Sequence, residues 1–255
     1  MGDRANGRLD GTTAVVTGAS SGIGEATARA LAGEGATLAL FARRRDRLEA
    51  LAADLPGGTR HSVHEVDVTD DETVHAAIAE VVARHGGFDV LVNNAGYGTW
   101  GPAAEADVTD WRKVVDINLN GVLSATHAAL PHLEKSAAGA RGVADVVAVS
   151  SVAGRKVPAP ASNVYAATKH GVGAFAEALR QEYAERHVRV GVVEPGLVAS
   201  EMTTSGDDHA PDATRASERG ALEPTDIADA VVYMVTRPRR TAVNEMLVRP
   251  VEQLH

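Results

Sequence analysis

The chain has no cysteine. That excludes a disulfide framework, a thiolate nucleophile and a cysteine-based zinc site, and it is compatible with a reducing compartment. Aromatic residues make up only 4% of the chain and hydrophobic residues 44%, so any core must be aliphatic, built from Ala, Val and Leu. Basic charge is short as well. The 25 Lys and Arg against 34 Asp and Glu leave a formal net charge of −9. A nucleic-acid surface needs a basic face, and an acidic chain gives no reason to expect binding to anionic membranes. No apolar run approaches the roughly 18 residues of a membrane span. The opening MGDRANGRLDG is too polar for a signal peptide. Residues 1–8 read as a disordered leader, and the cytosol is the expected setting. No repeat, low-complexity tract or dividing linker breaks the remainder, so one domain over 9–255 is expected.

What is present is alternation. Short continuous apolar runs at 12–17, 36–41, 63–66, 88–92, 143–149, 188–193 and 243–248 read as strands. Between them lie helical patterns at 25–33, 45–55, 111–133, 164–183 and 226–235, and Thr69-Asp70-Asp71-Glu72 reads as a capping box opening another. Pro131 stands near the end of the longest pattern. Strands alternating with helices predict an α/β fold, a doubly wound parallel sheet of about seven strands with helices on both faces. The polar, irregular stretch from Met202 to Glu223 follows a strand. It is the candidate substrate lid, at about 200–223.

The chemistry centres on Tyr165-Ala166-Ala167-Thr168-Lys169. Four residues apart on a helix, a phenol and an ammonium share one face. A neighbouring cation favours phenolate, which predicts a Tyr165 pKa lowered towards neutrality. Such a group can give or take a proton near pH 7.

Gly18, Gly22 and Gly24 sit between the first strand and the first helix. Glycines there let backbone approach a ligand, and the helix N-terminus behind them offers N–H groups and a positive dipole end to phosphates. The same residues also spell Gly18-x-Ser20-x-Gly22, the nucleophile elbow of α/β hydrolases, with Ser20 as nucleophile. That elbow usually follows several strands rather than the first, and Gly24 suits pyrophosphate better. At the tip of the second strand, where an acid would select NAD, stand Arg43 and Arg44. Either could clamp a 2′-phosphate, which favours NADP. Asp67 ends the third strand and could accept from the adenine amino group or simply belong to a turn.

With Thr17-Gly18-x-x-x-Gly22-Ile23-Gly24, Asn93-Asn94-Ala95-Gly96, Asn118, Ser151, Tyr165-x-x-x-Lys169 and Glu194-Pro195-Gly196 in this order, the chain resembles the short-chain dehydrogenase/reductase family over nearly its whole length. Within it, Ala42-Arg43-Arg44, the run from Ser151 to Arg155 and the run from Glu245 to Pro250 resemble the clavaldehyde-dehydrogenase-like and 3-hydroxy-acid dehydrogenase group. The resemblance implies a Rossmann-type fold and an NADP(H)-dependent oxidoreductase that interconverts a small-molecule alcohol and carbonyl, in a specialised-metabolite pathway. It implies Tyr165 as general acid/base and Lys169 as the residue that lowers its pKa and holds the nicotinamide ribose. Ser151 would bond the substrate oxygen, and Asn118 would anchor a water linking Lys169 to solvent. The coenzyme contacts it implies are Gly18, Ser20, Ser21, Gly22, Ile23, Gly24, Arg43, Arg44, Asp67 and Val68. Asn94, Ala95 and Gly96 would lie beside the adenosine ribose, and Pro195, Gly196, Val198 and Ser200 would hold the carboxamide. It also implies a homo-oligomer, tetramer or dimer, through the helices carrying Asn118 and Tyr165 and through the last strand. No metal is expected.

Two departures stand out. Ser151 and Tyr165 are one position further apart than the family usually shows, which Pro158 and Pro160 could absorb in their loop; otherwise Ser150 or Ser151 would be displaced and the serine assignment stays open. The segment 136–142 is also long. A sensor that binds NADP without chemistry would need a broken catalytic set, and this one is complete. His61-x-x-His64 fits strand alternation rather than a metal. Trp111 reads as packing, and Glu201, Asp207 and Asp208 as solvated. Tyr97, Trp100, Leu197 and Met202 are candidates for the pocket lining.

Overall fold

The computed structural model describes residues 7–203 and 220–253. Along the chain run β1 (Thr13–Thr17), α1 (Gly22–Gly33), β2 (Thr37–Ala42), α2 (Arg45–Asp54), β3 (Ser62–Glu65), α3 (Asp71–His85) and β4 (Val90–Asn93). They are followed by α4 (Val108–Val115), α5 (Gly121–Ala137), β5 (Ala144–Val149), α6 (Asn163–Tyr183), β6 (Val188–Pro195), α7 (Pro224–Val235) and β7 (Glu245–Val248). The seven strands form one sheet in the order β3-β2-β1-β4-β5-β6-β7, and every neighbouring pair is parallel. Parallel neighbours need crossover connections, and the crossover helices cover both faces. This is the doubly wound sheet that the alternating pattern predicts.

The central strands feed two cores because successive side chains point to opposite faces. Val16, Leu38, Leu40, Val92 and Val147 pack with Leu31, Ile227 and Val231 of α1 and α7. Val15, Phe41, Leu91 and Val146 pack on the other face with Ile78, Leu133 and Leu179 of α3, α5 and α6. Strand order reverses between β1 and β4. Outside the carboxyl ends of those two strands a crevice must open, because their crossovers leave in opposite directions.

Three local expectations change. The single helix expected over 111–133 is interrupted by a π turn at Asp116–Asn120, and it continues past Pro131 to Ala137. Buried Leu133 and Ala137 hold the last turns of α5 to the core despite the missing N–H. The cap of α3 is Asp70, not Thr69: its carboxylate accepts from the N–H groups of Glu72 and Thr73. Thr69 is turned instead towards Asp67, whose Oδ1 accepts from both its N–H and its hydroxyl. Of the expected leader, residues 1–6 lie outside the described residues, while Arg8 reaches Glu34 at 2.5 Å.

Candidate active site

The crevice is built first by glycine. Gly18 has φ +66°, and a Cβ on it would stand 2.8 Å from the Ala95 Cα. A Cβ on Gly24 would meet the Gly18 carbonyl oxygen at 2.3 Å and Asn94 Nδ2 at 2.4 Å. Neither place admits a side chain. The loop is pinned to the segment after β4 by Thr17, whose hydroxyl accepts from the N–H groups of Asn94 and Ala95, both at 3.0 Å. Asn94 Nδ2 returns bonds to the carbonyls of Thr17 and Gly18. Ser21, at the N-cap of α1, makes no side-chain capping bond. The first N–H groups of a helix have no partner within it, so this terminus suits an anion.

The cleft that results encloses about 570 Å³. Of the site residues expected from sequence, only Gly24 and Asn118 do not line it. Gly24 acts from behind, through close packing. Asn118 is buried in the π turn. Its Oδ1 accepts from the Tyr97 N–H at 2.8 Å, and its Nδ2 donates to the Tyr97 carbonyl at 2.8 Å and to the Thr168 hydroxyl at 3.4 Å. The amide thus clamps the strand of chain carrying Tyr97 onto α6. Tyr97, Trp100, Leu197 and Met202 line the cleft as well.

At one end lies the arginine cluster. Arg44 donates to the Ser20 hydroxyl through Nε at 3.1 Å and to the Ser21 hydroxyl through Nη2 at 2.7 Å. Arg43 stands exposed on the rim. Glu201 is not simply solvated: it accepts from Arg44 at 2.9 Å and from Arg47 at 2.5 Å. Asp207 and Asp208 lie outside the described residues. The elbow reading of Ser20 finds no support here. Its hydroxyl is bound by a guanidinium, and no histidine lines the cleft among the described residues.

At the other end β5 delivers two serines. Ser150 donates to the Lys169 carbonyl at 3.2 Å and so is spent on α6. Ser151 caps the short turn after β5, accepting from Ala153 N–H at 3.1 Å, and faces Tyr165. Between Ser151 and α6 the chain runs through a loop and a short 3₁₀ turn at Pro160–Ser162, and Ser151 still reaches Tyr165. Trp100 leans on the Tyr165 ring, centroids 5.7 Å apart. Lys169 Nζ lies 5.7 Å from the same ring centroid and donates to the Val149 carbonyl at 3.0 Å.

The electrostatics correct the expectation for Tyr165. Its pKa is raised above 10.0, because burial opposes phenolate, while the Ser151 hydroxyl works against that shift. The lowered group is Lys169, brought to about 8 by burial. The spacing of the pair is as expected, but the ammonium spends its bond on a β5 carbonyl, and desolvation dominates both groups.

Sequence reasoning did not find Gln253. Its Oε1 accepts from Leu197 N–H at 2.9 Å and it lines the cleft from the far end of the chain. No local signal marks it, since only the fold brings that tail to the loop after β6. His61 also proves structural: Nδ1 accepts from Leu38 N–H, and Nε2 meets the Pro56 carbonyl.

Residues 12–210 match the family model for short chain dehydrogenase. The chain is 37% identical to an uncharacterized oxidoreductase of Staphylococcus epidermidis over 93% of its own length and 96% of the other. It is 39% identical to glycine betaine reductase ATRR of Emericella nidulans over 96% of its length, but spans only 19% of that larger protein. Among solved structures, the alcohol dehydrogenase from the archaeon Thermococcus sibiricus, complexed with 5-hydroxy-NADP, superposes with a TM-score of 0.83 at 32% identity, covering 96% of this chain and 98% of that one. A doubly wound sheet, a glycine cradle at its switch point and a Ser, Tyr and Lys set facing one cleft accompany these likenesses, and the chain belongs to the short-chain dehydrogenase family.

Proposed function

We propose that this protein is an NADP(H)-dependent oxidoreductase that interconverts an alcohol and a carbonyl on a small molecule. The observation that carries the reading is the shared cleft, with Ser151, Tyr165 and Lys169 at one end and the glycine cradle with Arg44 at the other. When bound, the nicotinamide coenzyme supplies or accepts the hydride. The chain's own residues do the rest. Tyr165 holds the proton that the carbonyl oxygen must gain in reduction and takes it back in oxidation. A phenol whose pKa stands above its usual value is protonated at neutral pH, ready to act as acid. Ser151 faces the same hydroxyl and can bond an oxygen on which charge develops. Lys169, with its pKa lowered to about 8, remains largely cationic at neutral pH and favours the charged form of a phenol beside it. Asn118 fixes Tyr97 over α6, and a water beside it could link Lys169 to solvent.

Glycine at positions 18 and 24 lets the loop close tightly on Asn94, Ala95 and its own backbone, which shapes the cradle in which a dinucleotide would lie. Arg44, already fixed by two hydroxyls, matches the 2′-phosphate of NADP(H) better than the bare ribose of NAD(H). We include in the proposal a single catalytic domain and a homo-oligomeric assembly.

The test is Tyr165→Phe assayed with NADPH against aldehydes, ketones and 3-oxo acids. Proton transfer of this kind is worth roughly 10²–10⁴-fold, so turnover should fall by at least about a hundredfold while coenzyme binding persists. Near-wild-type turnover would rule the mechanism out. Tight NADPH binding without turnover on any substrate by the wild-type protein would point to a sensor instead.

A further inference from the structure

The arginine end of the cleft already holds an anion, and the chain itself supplies it. Glu201 places Oε2 at 2.9 Å from Arg44 Nη1 and Oε1 at 2.5 Å from Arg47 Nη1. The same Arg44 guanidinium is bound on its other side to the Ser20 and Ser21 hydroxyls. A carboxylate therefore occupies a cluster of two guanidinium groups and two hydroxyls beside the cradle of α1. Such a set suits a phosphate monoester, which offers three acceptor oxygens and more negative charge than a carboxylate.

Glu201 is presented by a turn that bonds to itself. The Thr203 hydroxyl donates to the Val198 carbonyl at 2.9 Å and accepts from Ser200 N–H at 3.1 Å. Ser200 and Met202, on either side of Glu201, both line the cleft. The side chains of Glu201, Arg44 and Arg47 are 55%, 40% and 47% exposed. Exposed pairs of this kind are weak, so a stronger anion can displace the carboxylate. Arg47 and then Arg44 hold the Glu201 pKa at about 2, so this anion is present at any working pH.

We infer that Glu201 is a built-in stand-in for the coenzyme's 2′-phosphate, engaging Arg44 and Arg47 and giving them up when a 2′-phosphorylated dinucleotide binds. The inference rests on the proposed reading of the cleft as a nicotinamide-dinucleotide site. A carboxylate and a phosphate cannot share these guanidinium groups without like-charge repulsion. Glu201 therefore weakens the binding of NADP(H) and leaves NAD(H), which carries no charge at that place, almost unaffected. It is a specificity-determining residue on the loop after β6, not at the β2 tip where coenzyme choice is usually read.

Calorimetric titration of the wild-type protein, E201Q and E201A with NADP+ and with NAD+ tests this. Both variants should bind NADP+ about two- to fivefold more tightly, the worth of an exposed ion pair, with NAD+ affinity unchanged. Titration with 2′,5′-ADP and with 5′-AMP isolates the phosphate, and only the first should tighten. Unchanged or weaker NADP+ binding in the variants would overturn the inference, since the carboxylate would then be orienting Arg44 rather than competing for it. Failure of the wild-type protein to bind either coenzyme would instead overturn the reading beneath it.

Discussion

Tyr165 and Lys169 stand one turn apart on α6, and burial shifts the two groups in opposite directions. The i,i+4 relation is a property of the helix and survives intact in α6. The pKa values are not, because each depends on what surrounds the group. Burial raises Tyr165 and lowers Lys169, and a backbone carbonyl of β5 takes the ammonium's hydrogen bond. The arginines divide similarly. The sequence offers Arg43 and Arg44 as equals at the β2 tip, and the structure separates them, since only Arg44 bonds the Ser20 and Ser21 hydroxyls. Arg44→Ala should therefore raise the Kd for NADPH by about tenfold or more, the scale of hydrogen bonds to charged groups, and change NADH little. Arg43→Ala should do less. Equal losses for the two coenzymes in Arg44→Ala, read by fluorescence titration, would remove the 2′-phosphate assignment.

At the scale of elements, β2, β3 and α3 enclose a histidine group that the sequence showed only as His61-x-x-His64. His61 Nδ1 accepts from Leu38 N–H at 3.0 Å, which fixes its proton on Nε2, towards the Pro56 carbonyl at 2.9 Å. Ser62 sits between His64 Nε2 at 3.0 Å and His85 Nε2 at 2.9 Å, and His64 Nδ1 meets Glu80 at 3.1 Å. Burial lowers the pKa of His61, His64 and His85 below 6.5. The sign follows. In the unfolded chain these imidazoles take protons near pH 6.5, and in the folded protein only at lower pH. Their contribution is thus fully present above pH 6.5 and is lost as pH falls below it. Thermal melts should show Tm declining from pH 7 to pH 5, with a shallower decline in His61→Gln, whose amide can accept and donate at the same two places. An unaltered slope in that variant would sink the account. These elements were placed correctly by apolar runs and turn residues. The π turn within the long helix was not, because packing against neighbouring elements settles it, and the Asp70 cap was not, because Thr69 and Asp70 are both good caps and the bond of Thr69 to Asp67 leaves the helix end to Asp70.

Across the whole molecule, one buried ion-pair network lies at the end of the sheet away from the cleft. Asp145, at the amino end of β5, binds Arg141 at 2.6 Å and Arg189 at 2.7 Å. Both arginines donate to the Val235 carbonyl at the end of α7. The carboxyl ends are left for loops, where a cleft can form without cutting the core. β7 ends the sheet with an outer edge that pairs with no described strand, and Leu247 on it is 41% exposed. Exposed edges are commonly covered, and self-association through this edge suits the expected oligomer. Light scattering should return a multiple of 26.5 kDa, and a monomeric mass at micromolar concentration would exclude that assembly.

The sequence by itself determined the alternation of strands and helices, the parallel sheet, the family and the membership of most of the cleft. Period, glycine placement and motif order are local properties that survive folding unchanged. Tertiary structure alone decided that Ser150 bonds to a helix carbonyl while Ser151 faces Tyr165, that Gln253 reaches the loop after β6, and that Glu201 rests on Arg44 and Arg47. Those outcomes depend on distances between segments far apart in the chain and on how much water each group keeps. Neither quantity exists until the sheet is assembled.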